Sequence, residues 1–119
     1  MKLISNRIKF LIITILFSFS FSQDYFDITI ESTGVSQLII FQDSISGLQE
    51  GDEIGVFDNQ AVLNSQDCSN QLGELLVGAD VWSGGQIALS SIGSINNCAF
   101  GGFQLPGYVD GNSVIVKVY

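Results

Sequence analysis

The sequence has no histidine, one proline and only four basic residues among 119. Without histidine there is no Ser-His-Asp or Cys-His machinery, and no imidazole to hold a metal. Three of the four cations, Lys2, Arg7 and Lys9, precede residue 10, so Lys117 is the only basic side chain in the rest of the chain. No arginine is left there to fork onto a phosphate, and no basic stripe can neutralise a nucleic-acid backbone. Nucleic acid is therefore excluded as a partner. All twelve acids lie at or after Asp24.

Residues 1–22 read as a secretory signal peptide. Lys2, Arg7 and Lys9 form a positive n-region, and Phe10–Phe17 is an apolar run of eight. Ser20-Phe21-Ser22 then places small residues at −3 and −1 for cleavage before Gln23. The apolar stretch Phe10–Phe21 is twelve residues long, whereas a spanning helix needs about 20. The expected location is secreted or cell-surface, with no membrane span in the mature chain. No cysteine follows the cleavage point, which argues against a lipid anchor. Removing the leader leaves one cation against twelve acids, a net charge of −11 in place of −8.

Residues 23–119 form one domain of common size. Their two cysteines, Cys68 and Cys98, are expected to pair as a disulfide in an oxidising compartment. Closing that loop stabilises the fold by roughly 3.5–4 kcal/mol in the chain-entropy description. A redox or metal role is the weaker alternative, since no Cys-x-x-Cys is present.

No stretch of ten residues keeps a helical apolar period free of glycine. Strand signals recur instead. Phe26, Ile28 and Ile30 alternate with polar residues. Gln37–Phe41 is rich in isoleucine, and Glu53–Asp58 puts Ile54 and Val56 on one face. Glu74–Trp82 carries Leu75, Val77, Ala79 and Val81 on one face and Leu76, Gly78, Asp80 and Trp82 on the other. Ser83-Gly84-Gly85 reverses the chain into Gln86–Ile92, and Val114–Tyr119 ends it. The expected fold is all-β: a single small antiparallel β-sandwich, immunoglobulin-like or jelly-roll-like. Glu50-Gly51-Asp52 and Asp110-Gly111-Asn112 each precede a strand and read as the same turn chemistry used twice. Two irregular regions, Asn59–Gln71 and Ser94–Pro106, hold the two cysteines, and a binding surface is expected there.

Three segments carry a resemblance: Gly51-Asp52-Glu53-Ile54-Gly55-Val56-Phe57-Asp58, Leu76-Val77-Gly78-Ala79 and Gly107-Tyr108-Val109-Asp110-Gly111-Asn112-Ser113-Val114. Between Ile30 and Tyr119 the chain resembles the small β-sandwich modules of large secreted and cell-surface proteins of the type IX secretion class. Such modules occur several times in one polypeptide, near a C-terminal sorting domain. The resemblance implies a structural or adhesive role and no enzymatic activity.

Other chemistries can be placed on specific residues. Asp58, Asn59, Asn64 and Asp67 offer the oxygen ligands calcium takes, although no Asp-x-Asp-x-Asp-Gly loop is present. The alternative is that these acids cap turns and face water. Trp82 and Tyr108 could stack on sugar rings, making a carbohydrate-binding module with the disulfide-pinned loops. Against this, a lone tryptophan in a small β-domain usually lies in the core. A carboxylate pair for glycoside hydrolysis has no specific signal. Gly101-Gly102 reads as a tight loop that turns Phe100 and Phe103 inward. Val114–Tyr119 is expected to be a central strand buried on both faces. The alternative is an edge that pairs with a neighbouring module.

Overall fold

The computed structural model describes residues 25–119. The expected signal peptide, 1–22, lies outside the described residues. Seven strands follow in order: β1 Ser36–Phe41, β2 Glu53–Val62, β3 Leu72–Val81, β4 Ile87–Ile92, β5 Ile95–Asn96, β6 Gln104–Leu105 and β7 Ile115–Val118. One 3₁₀ turn, Cys98–Phe100, separates β5 from β6. All strand pairings are antiparallel. β1 pairs with β4, β5 pairs with β6, and β2 is flanked by β3 and β7. The protein is thus a small all-β antiparallel sandwich. The β1–β4 pair faces the β3–β2–β7 sheet, and the β5–β6 pair closes one end.

The core follows from alternation on the two facing layers. Phe41, Ile54, Val56, Val77, Trp82 and Leu89 form one buried cluster. Ser83-Gly84-Gly85 does not make a hairpin within one sheet, because it carries the chain from β3 across to β4 in the opposite layer. The sheets approach closely at Gly78, where an added Cβ would meet the Leu89 side chain and lie 3.2 Å from the Ser90 carbonyl oxygen.

Val77 and Gly78 are both buried, which strict alternation forbids. The pairing explains it: Val56 faces Gly78, but Phe57 faces Leu76, so Val77 is an extra residue in β3. This bulge turns Val77 into the core beside Gly78.

Two expected strands differ from the sequence pattern. Phe26–Glu31 keeps the expected alternation, with Phe26 buried and its neighbours exposed, yet it joins no ladder. The backbone N–H groups of Tyr25 and Phe26 donate to the Glu53 carboxylate, at 3.0 and 3.4 Å. A side chain therefore takes the donors that a neighbouring strand would otherwise take. The last strand is the other case. Among the described residues β7 pairs with β2 alone and lies at the sheet edge, not its centre. Val116 and Val118 remain 45% and 49% exposed, which corrects the expectation of a strand buried on both faces.

The two matching turns share the glycine conformation but not the side-chain bond, since the Asn112 amide reaches across to Asp58. Gly51 and Gly111 adopt φ of 97° and 89°, a region that costs glycine little. In the first, Asp52 accepts a hydrogen bond from the Gln49 backbone N–H at 2.8 Å.

Candidate functional site

The residues singled out from sequence fall into three places. Trp82 is 3% exposed and belongs to the core cluster. Its backbone is tied to the β2 approach, N–H to the Asp52 carbonyl at 2.7 Å and carbonyl to the Gly51 N–H at 2.8 Å. The ring is enclosed, so of the two roles open to it in the sequence Trp82 takes the core one, and no stacking platform lies there. Tyr108 is half-buried and packs against the same cluster. Its N–H and carbonyl bond Ile92 and Ser94, at 3.0 and 2.9 Å.

The oxygen-rich residues enter two different hydrogen-bond networks. Asp58 points inward from β2 and is buried. Its carboxylate accepts from the Val109 N–H at 2.9 Å, the Gln60 N–H at 2.9 Å and the Asn112 side-chain amide at 3.0 Å. It therefore anchors the turn that launches β7. Asn64 and Asp67 belong instead to the disulfide end. The Asn64 amide donates to the Asp67 carboxylate at 2.7 Å and to the side-chain Oε1 of the buried Gln104 at 2.9 Å. Gln104 also accepts from the Asn70 N–H at 3.0 Å. The Ser69 hydroxyl and backbone N–H, followed by Asn64, hold the Asp67 carboxyl below its ordinary value of 3.8. Asn59 is exposed. Among the described residues, no three His, Cys, Asp or Glu side chains gather.

Asp58 can be tested directly. Asp58→Asn sets an amide N–H against a backbone donor, leaving a buried group unpaired at a cost of about 1–3 kcal/mol. The urea midpoint should fall accordingly. Asn112→Ala should fall less, and the two should not add, because they share one network. A Asp58→Asn midpoint equal to that of the native chain would remove Asp58 from this role.

Cys68 and Cys98 form the expected disulfide, with Cα atoms 6.1 Å apart. The loops they join are tied further, through Gln66 N–H to the Gln104 carbonyl at 2.8 Å and Gln104 N–H to the Asp67 carbonyl at 2.9 Å. Phe100, on the 3₁₀ turn, is 89% exposed, so it does not turn inward as the flanking glycines led one to expect.

The surface feature that stands out is the open side of the sandwich. β1 and β7 are both edge strands, and β1 with the segment Val114–Val118 lines two depressions. One, of about 70 Å³, has Ile39, Val56, Tyr108, Asp110 and Val114 in its wall. The other, of about 400 Å³, has Phe41, Leu48, Ile54, Val116 and Val118. An apolar groove thus runs along β7 between the layers. The alternation of Val114, Val116 and Val118 was visible in the sequence. That no strand among the described residues covers them was not, because it depends on how the two sheets end.

A second exposed feature lies on the outer face of the β3–β2–β7 sheet. The rings of Tyr25 and Tyr119 stack at 3.7 Å with an interplanar angle of 6°. Nearby, Lys117 pairs with Glu74 at 2.9 Å and lies 4.4 Å from the centre of the Phe57 ring.

The architecture defines a small disulfide-linked antiparallel β-sandwich with an apolar open side. Comparison with known proteins finds no matching family, no curated protein and no solved structure similar to this chain.

Proposed function

We propose that this protein is a non-catalytic, exported or cell-surface β-sandwich module with a structural or adhesive role. The carrying observation is the half-exposed row Val114, Val116 and Val118 on an unpaired edge. Apolar side chains in a row on a rigid frame commonly mark contact surfaces. The disulfide and the signal-like leader fit an oxidising destination. Among the described residues no helix is long and apolar enough to cross a membrane. The likeness to type IX secretion modules supports neighbouring modules as partners. The acid excess argues against nucleic acid.

Adhesion of coated beads tests this reading. Beads carrying the chain should adhere to the producing cells, and beads carrying Val116→Lys/Val118→Lys should do so far less. Native beads no more adhesive than albumin-coated ones would overturn it.

The Tyr25–Tyr119 stack supports a second reading, carbohydrate binding, now on the outer face and away from Trp82 and Tyr108. Exposed aromatic faces beside charged hydrogen-bonding groups suit sugar rings. Titration with a polysaccharide panel should change tyrosine emission. No response to any glycan, or the same response in Tyr119→Ala, would reject it.

A further inference from the structure

The free edge of β7 has a definite hydrogen-bond register. Glu53 and Tyr119 exchange both backbone bonds, at 2.9 Å each. Antiparallel pairs alternate between bonded and non-bonded. The pairs Gly55–Lys117 and Phe57–Ile115 are therefore the bonded ones, and Val56–Val116 and Ile54–Val118 are not. It follows that the backbone groups of Val116 and Val118 point to the open edge. Their side chains turn into the groove with Phe41 and Ile54. Among the described residues, one row thus offers unpaired backbone groups and uncovered apolar side chains together. Proteins commonly guard such edges with inward charges, proline or bulges, yet Lys117 is engaged on the other face with Glu74.

Charge narrows the occupant. Asp110 lines one end of the groove, and Asp43 follows in sequence, two residues after Phe41, which lines the other. A second copy would bring the same excess of acids, twelve against Lys117 beyond residue 9, and would set carboxylates against carboxylates.

We propose that the β7 edge is a strand-addition site for an extended segment of another polypeptide, apolar at alternate positions and cationic at both ends. This rests on the adhesive reading and names its partner. The guest extends the β3–β2–β7 sheet, bonds Val116 and Val118, and sends its alternate side chains into the groove toward Ile39 and Phe41. Its terminal cations meet Asp43 and Asp110.

The test uses the purified chain and a nine-residue peptide with three alternating valines separated by threonine and two lysines at each end. Amide exchange at Val116 and Val118 should slow on binding, while Lys117, already bonded to β2, should not change. Scrambling the peptide order, or N-methylating its pairing residues, should weaken binding about tenfold or more. Replacing its lysines with glutamate should weaken it similarly. The N-methyl series leaves the protein untouched, so misfolding cannot imitate the result. Equal binding by the scrambled peptide, or slowing at Lys117 in place of Val116 and Val118, would overturn the proposal. So would light scattering that shows a second copy already occupying the edge. Beads that still adhere through Val116 and Val118 while no peptide binds would sink the strand proposal and leave the adhesive reading standing.

Discussion

Cys98→Ser should lower the melting temperature by about 15–25 °C, the largest drop expected from any single polar substitution in this chain. The bond closes a loop with a sequence separation of 30. Opening it returns roughly 3.5–4 kcal/mol of entropy to the unfolded chain, a large share of a typical 5–15 kcal/mol total. The folded loops should change little. Their backbones are joined by Gln66 and Asp67 to Gln104, and the buried Gln104 side chain is held by Asn64 and Asn70. The effect should therefore show as lower stability with a similar native spectrum. Cys68→Ser/Cys98→Ser should match the single variant, since both remove the same link. Differential scanning calorimetry checks this. A drop below 5 °C would mean that the Gln104 network, not the disulfide, holds this end together.

Gly107→Ala should be worse still for folding. A Cβ at Gly107 would lie 2.5 Å from the Ser94 nitrogen and 2.6 Å from the Gly93 oxygen, with the Gly93 carbonyl carbon also in its way. These are backbone atoms, so no rotamer change relieves the clash. The surrounding backbone is also fixed. Gly107 exchanges bonds with Val62 at 3.0 and 3.1 Å, while Ser94 donates to the Tyr108 carbonyl at 2.9 Å. Overpacking in cores costs about 1–3 kcal/mol where side chains can adjust. Here the chain itself must separate, and a loss beyond about 4 kcal/mol is expected. Gly85→Ala is the control: an added Cβ there meets nothing within 4 Å, and stability should hold or rise slightly. Circular dichroism and urea unfolding of the two variants should differ sharply. If Gly107→Ala unfolds within about 1 kcal/mol of the native chain, the close approach of 93–94 to 107 is wrong.

Much of this architecture is legible in the residues. The isoleucines of β1, the alternation of β2 and the glycines after acids at 51 and 111 are local signals, and local backbone chemistry answers them. The disulfide was legible because the chain has only two cysteines. The site was less legible. Trp82 is compatible with a core lid and with a sugar platform until its surroundings are known, and the bulge at Val77 shows only in the pairing of β2 with β3. Phe26–Glu31 has the period of a strand, but Glu53, more than twenty residues away, takes its first backbone donors.

The sequence by itself determined a chain of short strands, acid-rich, with two cysteines to pair and no histidine, because composition and period-2 patterning need no partner to be read. The tertiary structure decided which apolar row stays uncovered. Val114–Val118 reads the same at a sheet centre as at an edge, since burial is set by what lies across the strand, and only the folded sheet shows that nothing among the described residues pairs there.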